Sequence, residues 1–314
     1  MKKIILVVIF SIALLSGCTK TQDYAYVHSN EKLNIITTIF PQYDFVRQIA
    51  GDNVNLHMLI PPGSESHTYD PSPGDIINIS QCDVFIYAGG ESDEWVREII
   101  QTIDSDTIFI SLMDIVPPLE EQHVEGMQDT YMHSHEHHEE YDEHIWTSPV
   151  NADIISSYLC DLFCELDADN SDIYAENYNN YSQQLHELDR RTQEVLDNSE
   201  RNTIIFGDRF PIRYFTEQYN INYYAAFPGC AAEVEPSPKT LIFLPDKIRN
   251  ENIPVVFYRE FSNKKVAQIL SEETGAKMLL FHSAHNITSE EFYDGITYVD
   301  IMSKNIDNLT EALN

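Results

Sequence analysis

Residues 169 to 199 read DNSDIYAENYNNYSQQLHELDRRTQEVLDNS, a stretch that contains neither glycine nor proline. Its apolar side chains recur at mostly helical spacing between Ile173 and Leu196, which predicts a single helix. Asn170 or Ser171 could cap its start. A helix of about 30 residues spans about 45 Å, the height of a domain. The stretch therefore predicts a stiff helical connection between the two halves of the chain.

Apolar runs of strand length alternate with helix-like segments on both sides of this helix. Strands are predicted at residues 33–39, 54–60, 84–88, 107–111, 203–206, 223–226, 255–258 and 277–281. Alternation of strands and helices favours parallel sheets with crossover connections. We predict an α/β fold of two (β/α) lobes with parallel sheets, joined by one long rigid helix. The expected boundaries are 32–168 for the first lobe, 169–200 for the helix and 201–314 for the second lobe.

The N-terminus has the pattern of an export signal. Lys2 and Lys3 precede an apolar run at residues 4–15, which is shorter than the roughly 20 residues needed to span a bilayer. The run ends in Leu15-Ser16-Gly17-Cys18, which resembles a bacterial lipoprotein signal. We expect residues 1–17 to be removed, Cys18 to carry the lipid anchor, and residues 18–31 to form a tether on the outer face of the cell membrane.

The charge balance restricts the possible partners. The chain has 51 acidic and 19 basic residues, which gives a formal net charge of -32. Such a surface argues against nucleic acid or an anionic membrane surface as partner.

The remaining cysteines are Cys82, Cys160, Cys164 and Cys230, and disulfides are permitted in an exported chain. Their pairing is left open by the sequence. Cys160 and Cys164 lie one helical turn apart, so we expect them to share a face and to pack as small hydrophobic side chains.

Histidines concentrate between residues 123 and 144. His133, His135, His137 and His138 lie among acidic residues with little apolar content, in a loop expected at about residues 120–143. This composition is typical of a weak, auxiliary metal-collecting tract, and a solvated loop without a role is the alternative. His144 differs because it opens the apolar segment Ile145-Trp146-Thr147-Ser148-Pro149. We expect this histidine to be held by folded backbone and to be a stronger ligand.

A second candidate lies in residues 61–73, which read PPGSESHTYDPSP and follow a predicted strand. The segment places His67 in a turn-rich loop at the carboxyl end of a strand, where open α/β sheets bind their ligands. Four features occur in the order seen in the zinc and manganese solute-binding proteins of ABC importers, which this chain resembles. They are the lipoprotein cysteine, this loop, the histidine tract and the segment DEHIW at 142–146. The segment EPSPK at 235–239 also matches, so the resemblance covers nearly the whole mature chain.

The resemblance implies one metal in the cleft between the lobes, with His67 and His144 as its first two ligands. The segment matching the third ligand is Phe206-Gly207-Asp208-Arg209-Phe210, in which Gly207 takes the ligand's place and Asp208 is its neighbour. His282 takes the position of the fourth ligand. The remaining position is open among Asp208, Glu65, His285 and water.

Imidazole ligands favour Zn2+, whereas carboxylate and other oxygen donors favour Mn2+. A set of His67, His144 and His282 therefore points to Zn2+, with Mn2+ as the alternative. Glu260, which follows a predicted strand, is expected to orient a ligand histidine or to lie on the surface.

The function implied is capture of zinc outside the cytoplasm, by a lipid-anchored monomer, for delivery to an ABC importer permease. A metal-binding adhesin is an alternative that the chemistry of the site does not separate. A zinc hydrolase is a further alternative, because three histidines and a water form a catalytic zinc site. The sequence has no His-Glu-x-x-His helix, which argues against a hydrolase, and we expect no enzymatic activity.

Overall fold

The computed structural model describes residues 31–64, 69–103, 105–127, 141–229 and 235–314. Cys18, Glu65, His67, Cys230 and the tract from His133 to His138 lie outside the described residues. In the part of the chain that is described, no helix is both long enough and apolar enough to cross a membrane.

The first lobe is built on a four-stranded parallel sheet in the order β2-β1-β3-β4. Its strands are β1 (Asn34–Thr37), β2 (Asn55–Met58), β3 (Val84–Tyr87) and β4 (Ile108–Ser111). Its helices are α1 (Phe40–Ala50), α2 (Pro73–Gln81), α3 (Glu94–Thr102), α4 (Leu112–Ile115) and α5 (Pro149–Leu166). The strand predictions are confirmed to within two residues at each end. A two-stranded antiparallel sheet of β5 (Leu119–Glu120) and β6 (Tyr141–Asp142), which the sequence did not predict, flanks the histidine tract.

The long helix α6 runs from Ser171 to Asp197. The prediction of one connecting helix is confirmed, and its buried face includes Tyr174, Tyr181, Leu185 and Leu188. The predicted capping is wrong, because Asn170 makes no side-chain cap and its amide donates to the Asp167 carboxylate at 2.8 Å instead.

The second lobe repeats the architecture with a parallel sheet in the order β10-β9-β7-β8. Its strands are β7 (Thr203–Arg209), β8 (Asn222–Phe227), β9 (Val255–Tyr258) and β10 (Lys277–Leu280). Its helices are α7 (Arg213–Tyr219), α8 (Pro238–Glu251), α9 (Lys265–Thr274), α10 (Ser289–Tyr293) and α11 (Tyr298–Leu313). Helix α6 packs against α1 and α5 of the first lobe and against α11 of the second. The two lobes thus share one helical layer.

Buried hydrogen bonds join the lobes independently of α6. The Trp146 indole donates to the carbonyl of Ser283 at 2.8 Å, and the Tyr298 hydroxyl donates to the carbonyl of Trp146 at 2.7 Å. The Tyr214 hydroxyl of α7 donates to the carbonyl of Asp142 at 2.7 Å and accepts from the backbone of Leu119 at 3.0 Å. Tyr214 therefore fixes both strands of the small sheet to the second lobe.

The cysteines behave as the sequence predicted. Cys160 is buried in the main core, and Cys164 packs partly buried against it. Cys82, Cys160 and Cys164 are free thiols, so none of these three pairs within the described part of the chain. Burial raises the pKa of the Cys160 thiol to about 12. These thiol side chains therefore contribute to the packing of the protein interior.

Gly207 lies where β7 is irregular, between Phe206 and Arg209, and directly against α9. A Cβ at this position would lie 2.4 Å from the Cα and 2.7 Å from the backbone nitrogen of Ala267. Helix backbone cannot move aside as a flexible side chain can. No side chain fits at Gly207, so this position cannot supply a ligand.

The substitution Gly207→Ala is therefore expected to destabilise the protein by about 1–3 kcal/mol, the usual cost of overpacking a tight contact. Chemical denaturation should show a lower midpoint with an unchanged slope. The matched control is Gly74→Ala in α2, where the nearest atom to a Cβ is the Ser72 hydroxyl at 3.5 Å. The control should be neutral or slightly stabilising, since alanine is the better helix former. Equal midpoints for the two variants would contradict this account of the β7–α9 contact.

Candidate metal site

The candidate site lies between the lobes, on loops that follow strands. β6 leads into the short helical turn Ile145–Thr147, β9 leads to Glu260, and β10 leads into the segment 281–287. These loops touch across the cleft through the bond from Trp146 to Ser283. Carboxyl ends of parallel strands are where open α/β sheets bind ligands, and the segment after β10 that carries His282 and His285 lies at such an end. His144 comes instead from the loop after the antiparallel strand β6.

His144 is oriented by the aspartate two residues before it. Only 1% of the residue is exposed, and its Nδ1 lies 3.1 Å from Oδ1 of Asp142. The same oxygen accepts from the backbone nitrogen of His144 at 2.8 Å. A carboxylate on Nδ1 fixes the tautomer and the ring orientation of a histidine, as an outer partner of a metal ligand commonly does. His144 thus has the arrangement of a prepared ligand.

His285 meets His144 from the other lobe. The two ring centroids are 5.2 Å apart and the rings are nearly perpendicular, at 84°. The Trp146 ring lies 5.5 Å from the His144 ring and 5.2 Å from the His285 ring, so it forms an apolar wall beside the pair. Both histidines are more than nine-tenths buried. His285, an alternate ligand in the sequence analysis, is the second-lobe histidine that the structure brings to His144.

The segment that precedes His67 is bound to the segment that follows His285. The Asn286 amide donates to the carbonyls of Pro61 and Ser64, both at 2.9 Å. The backbone nitrogen of Gly63 donates to the carbonyl of Ile287 at 2.7 Å. The described end of the Pro-Gly loop is therefore fixed beside His285.

His282 has a different environment. Its Nδ1 accepts from the backbone nitrogen of Ala284 at 2.9 Å, and its own backbone exchanges two hydrogen bonds with the Asn305 amide. A neutral imidazole whose Nδ1 accepts a hydrogen bond carries its proton on Nε2, so neither nitrogen then offers a free lone pair. Its Nδ1 also lies 3.6 Å from Oε2 of Glu260. In this tautomer His282 maintains the loop and is not prepared for a metal.

Asp208 is engaged with other partners. Its carboxylate accepts from the Ser262 hydroxyl and from the backbone nitrogen of Arg209, and lies 3.6 Å from Nε of Arg259. Burial raises its pKa to about 6. Asp208 and Arg259 line a cavity with Glu235. Across the described ranges no three His, Cys, Asp or Glu side chains form a group that could hold a metal ion.

Buried acidic groups lie close to His144 in the chain and set its electrostatics. Burial raises the pKa of Glu143, whose carboxylate accepts from the backbone and hydroxyl of Ser92. Burial, followed by the charge of Glu143, raises the pKa of Asp93 to about 7. Burial lowers the pKa of His144, but Asp142 and then Glu143 outweigh it, so the pKa is raised overall. The same negative field favours a bound cation.

The partners that orient the site residues were not predicted from the sequence. An Asp two residues before His144 was a usable local signal, because an i−2 carboxylate can reach both the backbone and the ring of the histidine. Asn286 and Tyr214 act across the lobes, over 222 and 72 residues of sequence. No local pattern indicates such contacts.

The structure has two parallel-sheet lobes on a shared long helix, and histidines from both lobes meet between them. This arrangement defines a two-lobed binding protein with a cleft. The model of the family described as "Zinc-uptake complex component A periplasmic" matches residues 35–312. The chain belongs to this family.

Two relatives are similar in sequence to this chain over most of its length. It is 28% identical to the high-affinity zinc uptake system protein ZnuA of Bacillus subtilis, over 96% of this chain and 94% of the relative. It is 29% identical to the zinc-binding lipoprotein AdcA of Streptococcus pneumoniae, over 99% of this chain but 61% of AdcA. The chain thus spans about three-fifths of the length of its pneumococcal relatives.

Solved structures agree on the fold. The zinc-bound ZnuA-like domain of AdcA from S. pneumoniae matches with a TM-score of 0.74 and 26% identity, over 90% of this chain and 99% of that domain. The metal-dependent lipoprotein YcdH of B. subtilis matches with a TM-score of 0.75 and 27% identity, over 90% and 99%.

Proposed function

We propose that this protein captures zinc outside the cytoplasm and delivers it to an ABC importer permease. Cys18 anchors the chain to the membrane through lipid, and the protein works as a monomer without enzymatic activity. The observation that carries the proposal is the meeting of His144 and His285 across the cleft, 5.2 Å between ring centroids, in a chain of a zinc-uptake family. One metal ion between two lobes is a cargo that the cleft can hold and release.

We propose His144 and His285 as ligands, with His67 as the third and a water or a carboxylate completing four. Asp142 supports this assignment because its carboxylate contacts Nδ1 of His144 and orients the ring, as outer partners of metal-ligating histidines do. The anchoring of residues 61–64 by Asn286 supports His67, since it holds the start of the Pro-Gly loop near His285. Ligation by several imidazoles favours Zn2+ over Mn2+. His282 and Asp208 are assigned supporting roles, because each is engaged in hydrogen bonds of its own.

The test is calorimetric titration of the soluble portion, residues 19–314, with zinc. We expect one tight event of near-unit stoichiometry and further weak events from the histidine tract. Deletion of residues 128–140 should remove the weak events and leave the tight one. Loss of the tight event on deletion would place the main site in the tract and would refute the cleft assignment.

A further inference from the structure

The segment that carries His285 has a strained backbone. Ala284 has φ = +59°, a left-handed conformation that non-glycine residues seldom adopt. Such conformations persist only where surrounding contacts impose them. The turn from His282 to His285 therefore requires specific contacts to hold it.

Glu260 supplies these contacts from the end of β9. One oxygen of its carboxylate accepts from the backbone nitrogen of Ser283 at 2.8 Å, and the other accepts from the Ser283 hydroxyl. The Ser283 hydroxyl in turn accepts from the backbone nitrogen of His285 at 3.3 Å. A continuous path of hydrogen bonds thus runs from the Glu260 carboxylate through Ser283 to the backbone of His285.

Three other contacts act on other groups of the turn. Nδ1 of His282 accepts a hydrogen bond from the backbone nitrogen of Ala284 at 2.9 Å. Asn305 holds the backbone of His282, and the Trp146 indole donates to the carbonyl of Ser283. The path from Glu260 reaches the backbone nitrogen of His285 through the Ser283 hydroxyl. Glu260 is 7% exposed and its carboxylate accepts two hydrogen bonds from Ser283, so its influence on a metal passes through Ser283.

From these contacts we propose that Glu260 is a positioning residue for metal binding: its carboxylate holds the left-handed turn at Ala284 and thereby places His285 beside His144. This inference rests on the proposed zinc site. A carboxylate accepts both hydrogen bonds on its two oxygens, whereas a glutamine amide has one oxygen. Its NH2 group would face the Ser283 hydroxyl and force that hydroxyl to reverse its hydrogen bond, which disturbs the path to His285.

The first test is Glu260→Gln in the soluble protein, read by zinc competition with a chelator. Loss of an outer partner of a metal ligand commonly costs 10–100-fold in metal affinity, and we expect a loss of about that size. The matched control is Asp44→Asn, which also removes a buried carboxylate but whose bonds go to Arg47, Gln48 and the backbone of Tyr298. The control should lower stability and leave zinc affinity within about twofold.

A mutant cycle separates positioning from a general structural effect. In a His285→Ala background, Glu260→Gln should cost at most about twofold in affinity, because the ligand it positions is gone. In a His144→Ala background it should keep its full effect. Ser283→Ala breaks the same path of hydrogen bonds and replaces Glu260→Gln as the test if that variant fails to fold. Its loss of zinc affinity is also expected to disappear in the His285→Ala background.

Equal losses for Glu260→Gln in the presence and absence of His285 would overturn the positioning role, as would an unchanged affinity in Glu260→Gln. Both results leave the proposed function intact, provided the wild-type protein binds zinc tightly. A wild-type protein without tight zinc binding would instead refute the proposed function itself.

Discussion

Replacement of His285 by alanine is expected to weaken zinc binding by about 100-fold or more, and His144→Ala should have a similar effect. Structural zinc sites bind with about 10–16 kcal/mol, so each of four ligands accounts for about 3 kcal/mol, which corresponds to roughly 100-fold. A water that replaces the lost imidazole recovers part of this. The measurement is chelator competition with folded, thermally characterised variants.

His282→Ala is the matched comparison, because it removes an equally buried histidine three residues earlier in the same loop. The substitution removes the ring nitrogen that accepts a hydrogen bond from the backbone of Ala284, but it removes no proposed bond to the metal. We expect a cost of about tenfold or less, since only the support of the loop is affected. A silent His285→Ala together with a severe His282→Ala would restore the ligand set of the sequence analysis and contradict the assignment given by the geometry.

The second large effect is that of pH. Zinc competes with protons for each imidazole, and the pKa of His144 is raised above its ordinary value because Asp142 and Glu143 outweigh burial. Protonation of this ring therefore begins at a higher pH than for a free histidine, so affinity falls as pH falls. Because the proposed site has at least two imidazole ligands, we expect zinc affinity to fall about 100-fold for each pH unit below about pH 6.

The pH profile should be measured by competition between pH 8 and pH 5. His285→Ala should reduce the slope by about one proton, whereas His282→Ala should retain the slope of the wild type. Constant affinity between pH 7.5 and pH 5 would indicate a site dominated by carboxylates, and would favour Mn2+ over Zn2+.

Much of the fold was predictable because its signals are local. The strands of both sheets are apolar runs bounded by turn residues, and α6 is a long amphipathic stretch without glycine or proline. The two-residue strands β5 and β6 were missed, since they are too short to show a period and are fixed by Tyr214 from the other lobe. The end of β7 was also missed, because Gly207 and Asp208 interrupt its apolar pattern.

The site was predictable only in part. His144 lies two residues after Asp142 and opens a structured apolar segment, so its neighbours in the sequence indicate a candidate ligand. The sequence analysis placed His282 in the ligand set and His285 among the alternates. Both lie in an irregular segment, where no periodicity tells which side chain faces the cleft. The proposed choice of His285 rests on the left-handed turn at Ala284, and Glu260, which we propose to hold that turn, is 24 residues away in sequence.

The most direct measurement is anomalous diffraction at the zinc edge from crystals of the zinc-loaded protein. The account predicts one strong peak in the cleft, about 2.0–2.1 Å from Nε2 of His144 and from a ring nitrogen of His285. A principal peak beside His282 and Asp208, or one within the tract from His133 to His138 with none between His144 and His285, would contradict it.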